Sequence, residues 1–149
     1  MKKIFLLEEK KFYYRDGTDG ENVEDIDIIG YFSTKEIVST AINKCINLGM
    51  KKEELVCSEY DFNTKKQKYV YILFYEYSIK DERGYTDYFY KFQPQTNKKK
   101  CMQLKEELLK KDFYMPNKNK IFDDFTDRGF SIRKIMIDTM IAGAVYAKK

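Results

Sequence analysis

The 149-residue chain is 43% hydrophobic, with eleven Phe and thirteen Tyr, which is enough apolar volume for one ordinary domain or two very small units. Histidine is absent, which excludes imidazole-based triads, dyads and relays and removes the commonest metal ligand. The net charge of +4 is uneven: residues 1–63 hold nine Lys/Arg against thirteen Asp/Glu, whereas 64–149 hold nineteen against eleven.

The amino terminus reaches Glu8 after only four consecutive apolar residues, Ile4 to Leu7, too few for a signal-peptide core, and no run of 18 apolar residues exists. The expectation is a cytoplasmic protein that does not enter a membrane. Ile4 to Tyr14 reads as a strand, apolar on both faces at first. A polar, glycine-punctuated turn over Asp16–Asn22 leads to a returning strand at Glu24–Ile29, so the two form a hairpin.

The stretch Ile28-Ile29-Gly30-Tyr31-Phe32-Ser33-Thr34-Lys35-Glu36 joins that strand to a helix. Ser33 and Glu36 have capping-box spacing, and Phe32 with Ile37 have that of a hydrophobic staple, so the helix is expected to start at Ser33. Ile37, Val38, Ala41, Ile42, Cys45 and Ile46 form its apolar face, and Gly49 supplies the stop, giving a helix over Ser33–Leu48. Leu55 to Phe62 alternates as a third strand.

Tyr69 to Tyr77 is β-branched and aromatic throughout, the strongest strand signal in the chain. Asp81–Gly84 turns it into a second aromatic strand over Tyr85–Phe92, ended by Pro94. Thr96 or Asn97 caps a helix to about Lys111, with Cys101, Leu104, Leu108 and Leu109 inside. Asp112 to Asp127 reads as an irregular insertion with one helical turn at Lys120–Phe125. Gly129 to Asp138 fits a strand or a helix; the recurring order favours a strand over 130–138, leaving 139–149 as a tail or short helix.

Hairpin, helix and strand thus occur twice at an offset of about 66 residues, so the expected organisation is a single domain, 1–149, with an internal repeat of 1–63 and 68–138. Strand, turn, strand ending in Ile29-Gly30-Tyr31-Phe32-Ser33-Thr34-Lys35-Glu36, helix, and a closing strand like Gly129-Phe130-Ser131-Ile132 resembles a group of small uncharacterised bacterial β-β-α-β domains of unknown function. The resemblance covers Ile4–Phe62 and, as a tandem copy, Tyr69–Asp138, where Tyr90-Lys91-Phe92 replaces the Ile-Gly motif. It implies a fold and no activity. The expected architecture is α+β: two tandem β-β-α-β units, about six mostly antiparallel strands in one sheet, and both helices on one face.

Catalytic and cofactor signatures are missing. Starting at Asp16, an EF-hand would need Gly at loop position six and Glu at twelve, where this chain has Glu21 and Asp27. No Gly-x-x-x-x-Gly-Lys, Gly-x-Gly-x-x-Gly or Gly-x-Ser-x-Gly occurs. Glu76, amid Phe74, Tyr75 and Tyr77, is the one carboxylate with an apolar surround. Cys45, Cys57 and Cys101 each fall in an apolar pattern, and all three are expected to be buried free thiols. The expectation is a protein that is not an enzyme and takes no metal or cofactor.

What remains is a tyrosine and lysine surface. Tyr69, Tyr71, Tyr75 and Tyr77 share a strand face by their spacing of two, and Tyr88 and Tyr90 share one on the partner strand, with Lys91, Lys98, Lys99 and Lys100 near by in sequence. These ten are the candidate binding residues. The plain alternative is that the tyrosines form cross-strand pairs that stabilise a sheet with one face under the helices. The functional reading is a small non-enzymatic protein that occupies a macromolecular surface, an adaptor or inhibitor, with a protein as its partner. Inhibitors encoded by phages and mobile elements, anti-CRISPR proteins included, have this compact, Lys- and Tyr-rich, histidine-free composition. The rival reading is single-stranded nucleic acid stacked on the tyrosines, with the lysines on phosphates; the third is an enzyme using carboxylates.

Overall fold

The computed structural model describes residues 2–14 and 22–141. Most of the acidic turn and the end of the expected tail, residues 15–21 and 142–149, lie outside them. The chain divides into two compact units, Met1–Lys68 with Met136–Lys149, and Tyr69–Ile135. The first unit thus takes in the chain from Met136 on as well as the part up to Lys68.

The fold is α+β, with six antiparallel strands and two α-helices among the described residues. In the first unit, β1 (Lys3–Tyr14) pairs with β2 (Asn22–Phe32) and β3 (Leu55–Asp61), and α1 (Lys35–Asn47) connects β2 to β3. In the second, β4 (Tyr69–Asp81) pairs with β5 (Gly84–Lys91) and β6 (Phe130–Met136), and α2 (Lys98–Leu108) connects β5 to β6. The sheets are β2-β1-β3 and β5-β4-β6, so the expected single sheet is two sheets of three strands. The physical reason is local: β1 and β4 each find both ladder partners within their own unit. The stretch at 130–138 is a strand as far as Met136.

In the first unit, Ile4, Phe5, Leu6 and Leu7 are all buried, as an apolar run without alternation requires. On the α1 side Phe5, Leu7, Ile29 and Phe32 meet Val38, Ala41 and Cys45. A register shift between Leu7 and Glu8 leaves Ile29 as an extra residue on β2. Next to it, a Cβ on Gly30 would stand 2.7 Å from the Thr139 carbonyl oxygen and 2.9 Å from the Phe32 ring. Only glycine fits without a shift of the chain.

The helix does not start at Ser33. Thr34 is the N-cap, its Oγ1 accepting from the Ile37 amide at 3.1 Å, and the expected Ser33–Glu36 box is not formed. Ser33 is held instead by Asp138, whose carboxylate accepts from the Ser33 amide and the Ser33 hydroxyl, each at 2.7 Å. A carboxylate 105 residues away thus replaces the local partner, which a local spacing rule has no means of seeing. The chain after β6 continues along β2, with the Asp138 amide on the Tyr31 carbonyl and the Ile141 amide on that of Ile29.

In the second unit, Asn97 rather than Thr96 caps α2, accepting from the Lys100 amide at 2.9 Å. The expected helical turn at 120–125 is absent. The insertion instead holds a single 3-10 turn at Asp112–Tyr114 and an isolated bridge from Ile121 to Ser78 of β4. Before β6, Asp127 and Phe130 bond each other through both backbone pairs at 2.8 and 2.9 Å, with Arg128 and Gly129 at positive φ between them. Hydrogen bonds from Arg128 and Lys105 hold the Asp127 carboxyl well below the usual carboxylate range and tie this turn to α2.

Candidate functional site

The β4–β5 hairpin carries most of the candidate residues. Its turn is closed by the Asp81 carboxylate, which accepts from the Arg83 amide at 2.8 Å, and by Gly84 at a φ of +113°. The register pairs Tyr75 with Tyr90 and Tyr77 with Tyr88 on the α2 side, and Glu76 with Phe89 and Ser78 with Asp87 on the other.

Tyr75 is the centre of the α2 side. It is fully buried, and its ring lies 4.7 Å from Phe130, 4.9 Å from Tyr114 in an edge-on contact, and 6.2 Å from both Tyr90 and Phe113. Tyr77, also buried, stacks on Tyr88 at 4.9 Å, and burial together with its tyrosine neighbours raises its pKa to about 12. Cys101 and Leu108 of α2 pack into the same cluster, and burial pushes the Cys101 thiol up to about 11. Tyr75 and Tyr77 of β4 therefore form an aromatic core and not an open stacking platform.

Lys120 reaches into this cluster from the insertion. Its Nζ lies 4.8 Å from the Tyr77 ring centre, 4.9 Å from that of Phe113 and 5.4 Å from that of Tyr75. It also donates to the Tyr75 hydroxyl at 2.9 Å and to the Phe113 carbonyl. Burial lowers its pKa.

The other candidates are dispersed. Tyr69 is half-buried, with the Lys134 ammonium 4.1 Å above its ring, and Tyr71 is fixed by paired backbone bonds to Gln95 at 2.9 Å. Tyr88 and Tyr90 are exposed, and Lys91 ends β5 opposite Phe74. Lys98, Lys99 and Lys100 form the exposed first turn of α2, which has no acidic residue to match the helix dipole. The hairpin thus brings Tyr75, Tyr77, Tyr88 and Tyr90 together, while the three lysines belong to another element.

Two exposed aromatics on β5 escaped the sequence reading: Tyr85 and Phe89, at 55% and 52% exposure, lie on the face opposite Tyr88 and Tyr90. Their signal was alternation on a strand that lies at the edge in the order β5-β4-β6. Beside Phe89 a cavity of about 220 Å³ is lined by Glu76, Ser78, Asp87, Ile121 and Asp123. Among the described residues no three of Cys, Asp and Glu are placed to hold a metal ion.

Cys57 overturns the expectation of three buried thiols. Cys45 and Cys101 are buried, but Cys57 is exposed on edge strand β3: it pairs with Leu7 on the α1 side of the sheet, where α1 packs over β1 and β2 and leaves the edge uncovered. It borders a groove of about 310 Å³ with Phe5, Lys35, Val38, Ser58 and Glu59. Partial burial and the Glu59 charge raise its pKa, which is the opposite of an activated nucleophile.

Compared with protein-family models, curated proteins and solved structures, the chain has no match. Among the described residues no helix is long and apolar enough to cross a membrane.

Proposed function

We propose that the chain is a non-enzymatic binding protein of the cytoplasm that docks on a protein partner through β5, as an adaptor or an inhibitor. The observation that carries this is an eight-residue edge strand with four exposed aromatics, Tyr85, Tyr88, Phe89 and Tyr90. Edge strands offer unpaired backbone groups, and proteins that do not use them blunt them with proline, bulges or inward charges. β5 contains no proline, and its register with β4 is unbroken from Phe74–Lys91 to Asp81–Gly84. Strand addition would supply backbone bonds, and exposed Tyr and Phe would supply the anchors that dominate interface energies. The three unpaired cysteines fit a reducing compartment.

The test is capture from the native host by the wild-type chain and by Tyr85→Asp and Phe89→Asp, followed by reconstitution with the purified partner. A partner lost with both changes, and amide protection on binding confined to β5, would support the reading. Capture unaffected by either change would remove it.

The basic first turn of α2 favours a second reading. Three lysines at the positive end of a helix dipole form a local anion attractor, as nucleic-acid binding would use. Oligonucleotide affinity that falls steeply with salt, and loses that slope when Lys98, Lys99 and Lys100 become Ala, would replace the protein partner by a single strand.

A further inference from the structure

The geometry points to the niche between Tyr75, Tyr77 and Phe113 as a receptor for a methylated ammonium group, with Lys120 as the occupant that such a ligand displaces. Three rings within 5.4 Å of one cation are what an ammonium receptor needs, because each π face is attractive to positive charge and tolerates loss of water. Two walls are fixed: Tyr75 and Tyr77 are buried on β4. The third, Phe113, is 47% exposed on a single 3-10 turn, so the niche has a solvent side through which an occupant can exchange.

Lys120 suits this niche less well than a methylated cation would. A primary ammonium has three N–H groups to satisfy, and here it finds the Tyr75 hydroxyl and the Phe113 carbonyl. A quaternary ammonium has no N–H to satisfy and is weakly hydrated, so it gives up less on entering a ring-lined site. The groups that hold Lys120 are rings and neutral oxygens, so its departure strands no buried carboxylate. The niche opens on the opposite face of the hairpin from Tyr85 and Phe89, and the inference does not rest on docking through β5.

A site filled by its own side chain binds a competitor with an affinity reduced by the fraction of time that it stands empty. Lys120→Met should therefore bind choline, and a peptide carrying trimethyl-lysine, roughly tenfold more tightly than the wild type, and adding Phe113→Ala should abolish the gain. Tighter binding of the peptide would assign the ligand to a protein side chain, and tighter binding of choline to a free quaternary ammonium; either supports the receptor. In the wild type, ring currents should shift the Lys120 side-chain protons upfield. Choline should move them saturably toward free-lysine positions, while sodium chloride at equal ionic strength should not. A folded Lys120→Met that binds neither probe would overturn the inference. Should that variant fail to fold, Lys120 signals in the wild type that choline leaves unmoved would overturn it equally.

Discussion

Beneath α1, Val38, Ala41 and Cys45 meet Phe5, Leu7, Ile29 and Phe32; beneath α2, Cys101 and Leu108 meet Leu73, Tyr75, Tyr77 and Phe130. The two units have the same element order and the same central position for their first strand, yet they close their cores differently. Small and branched side chains on a 13-residue helix cover the first sheet directly. In the second unit the 11-residue α2 turns only Cys101 and Leu108 fully inward, onto the larger rings of Tyr75 and Tyr77. Phe113, Tyr114 and Phe122 of the insertion fill the remaining space around Tyr75. The aromatic core thus needs an irregular segment as part of its cover, and that segment is the one that carries Lys120.

The largest expected effect tests this dependence. Tyr75→Ala should cost about 4 kcal/mol, the range for deleting a buried aromatic, read as a lower urea midpoint. A loss below about 1 kcal/mol would mean that the surrounding rings close the gap and that Tyr75 is not the centre of the cluster.

The two close-packed glycines sharpen the comparison. A Cβ at Gly129 would stand 2.8 Å from both the Tyr75 and Phe122 rings and 2.9 Å from the Glu76 carbonyl oxygen, at a φ of +91°. Gly30 meets a similar obstruction from Thr139 and Phe32, but its φ lies outside the left-handed region. Gly129→Ala should therefore cost roughly 3 kcal/mol and Gly30→Ala roughly 2, since only the first adds backbone strain to overpacking. Equal losses would show that sterics alone decide.

Strands and helices were legible because their signals are local: the apolar run of β1, the aromatic run of β4, the spacing of Val38, Ala41 and Cys45. What was not legible depends on distant residues. Ser33 and Thr34 both have cap chemistry, and Asp138 decides between them by capturing Ser33. Tyr75 and Tyr88 look alike in sequence, but Tyr75 lies on the central strand beneath the insertion while Tyr88 lies on the edge strand. Splitting six strands into two sheets is a choice of ladder partners, which alternation within a strand does not encode.

The junction in the first unit can be tested at its cap. Thr34→Ala removes the acceptor for the Ile37 amide and should cost about 1 kcal/mol. Ser33→Ala should cost about as much by a different route, since it removes one of two bonds to the Asp138 carboxylate. Asp138→Gly, which removes the carboxylate at a position of positive φ, separates the two: after that change, Ser33→Ala should cost much less, while the Thr34→Ala loss should stay the same.

The smallest effect on stability and the sharpest contrast in exposure lie in the cysteines. Cys57 is exposed on edge strand β3, whereas Cys45 sits under α1 and Cys101 under α2, its Sγ donating to the Tyr71 carbonyl at 3.5 Å. A thiol reagent should consume one equivalent in the native protein and the other two only in denaturant. The thiolate is the reacting form, and partial burial with the Glu59 charge holds the Cys57 pKa above its ordinary value. Its labelling at neutral pH should therefore be slower than that of an unstructured peptide and should keep accelerating as the pH passes the ordinary thiol pKa. Glu59→Gln, which removes one of the two causes, should speed it. Two fast equivalents would show that one helix lifts from its sheet, and Cys57→Ser would leave the one remaining fast thiol to report which unit opens.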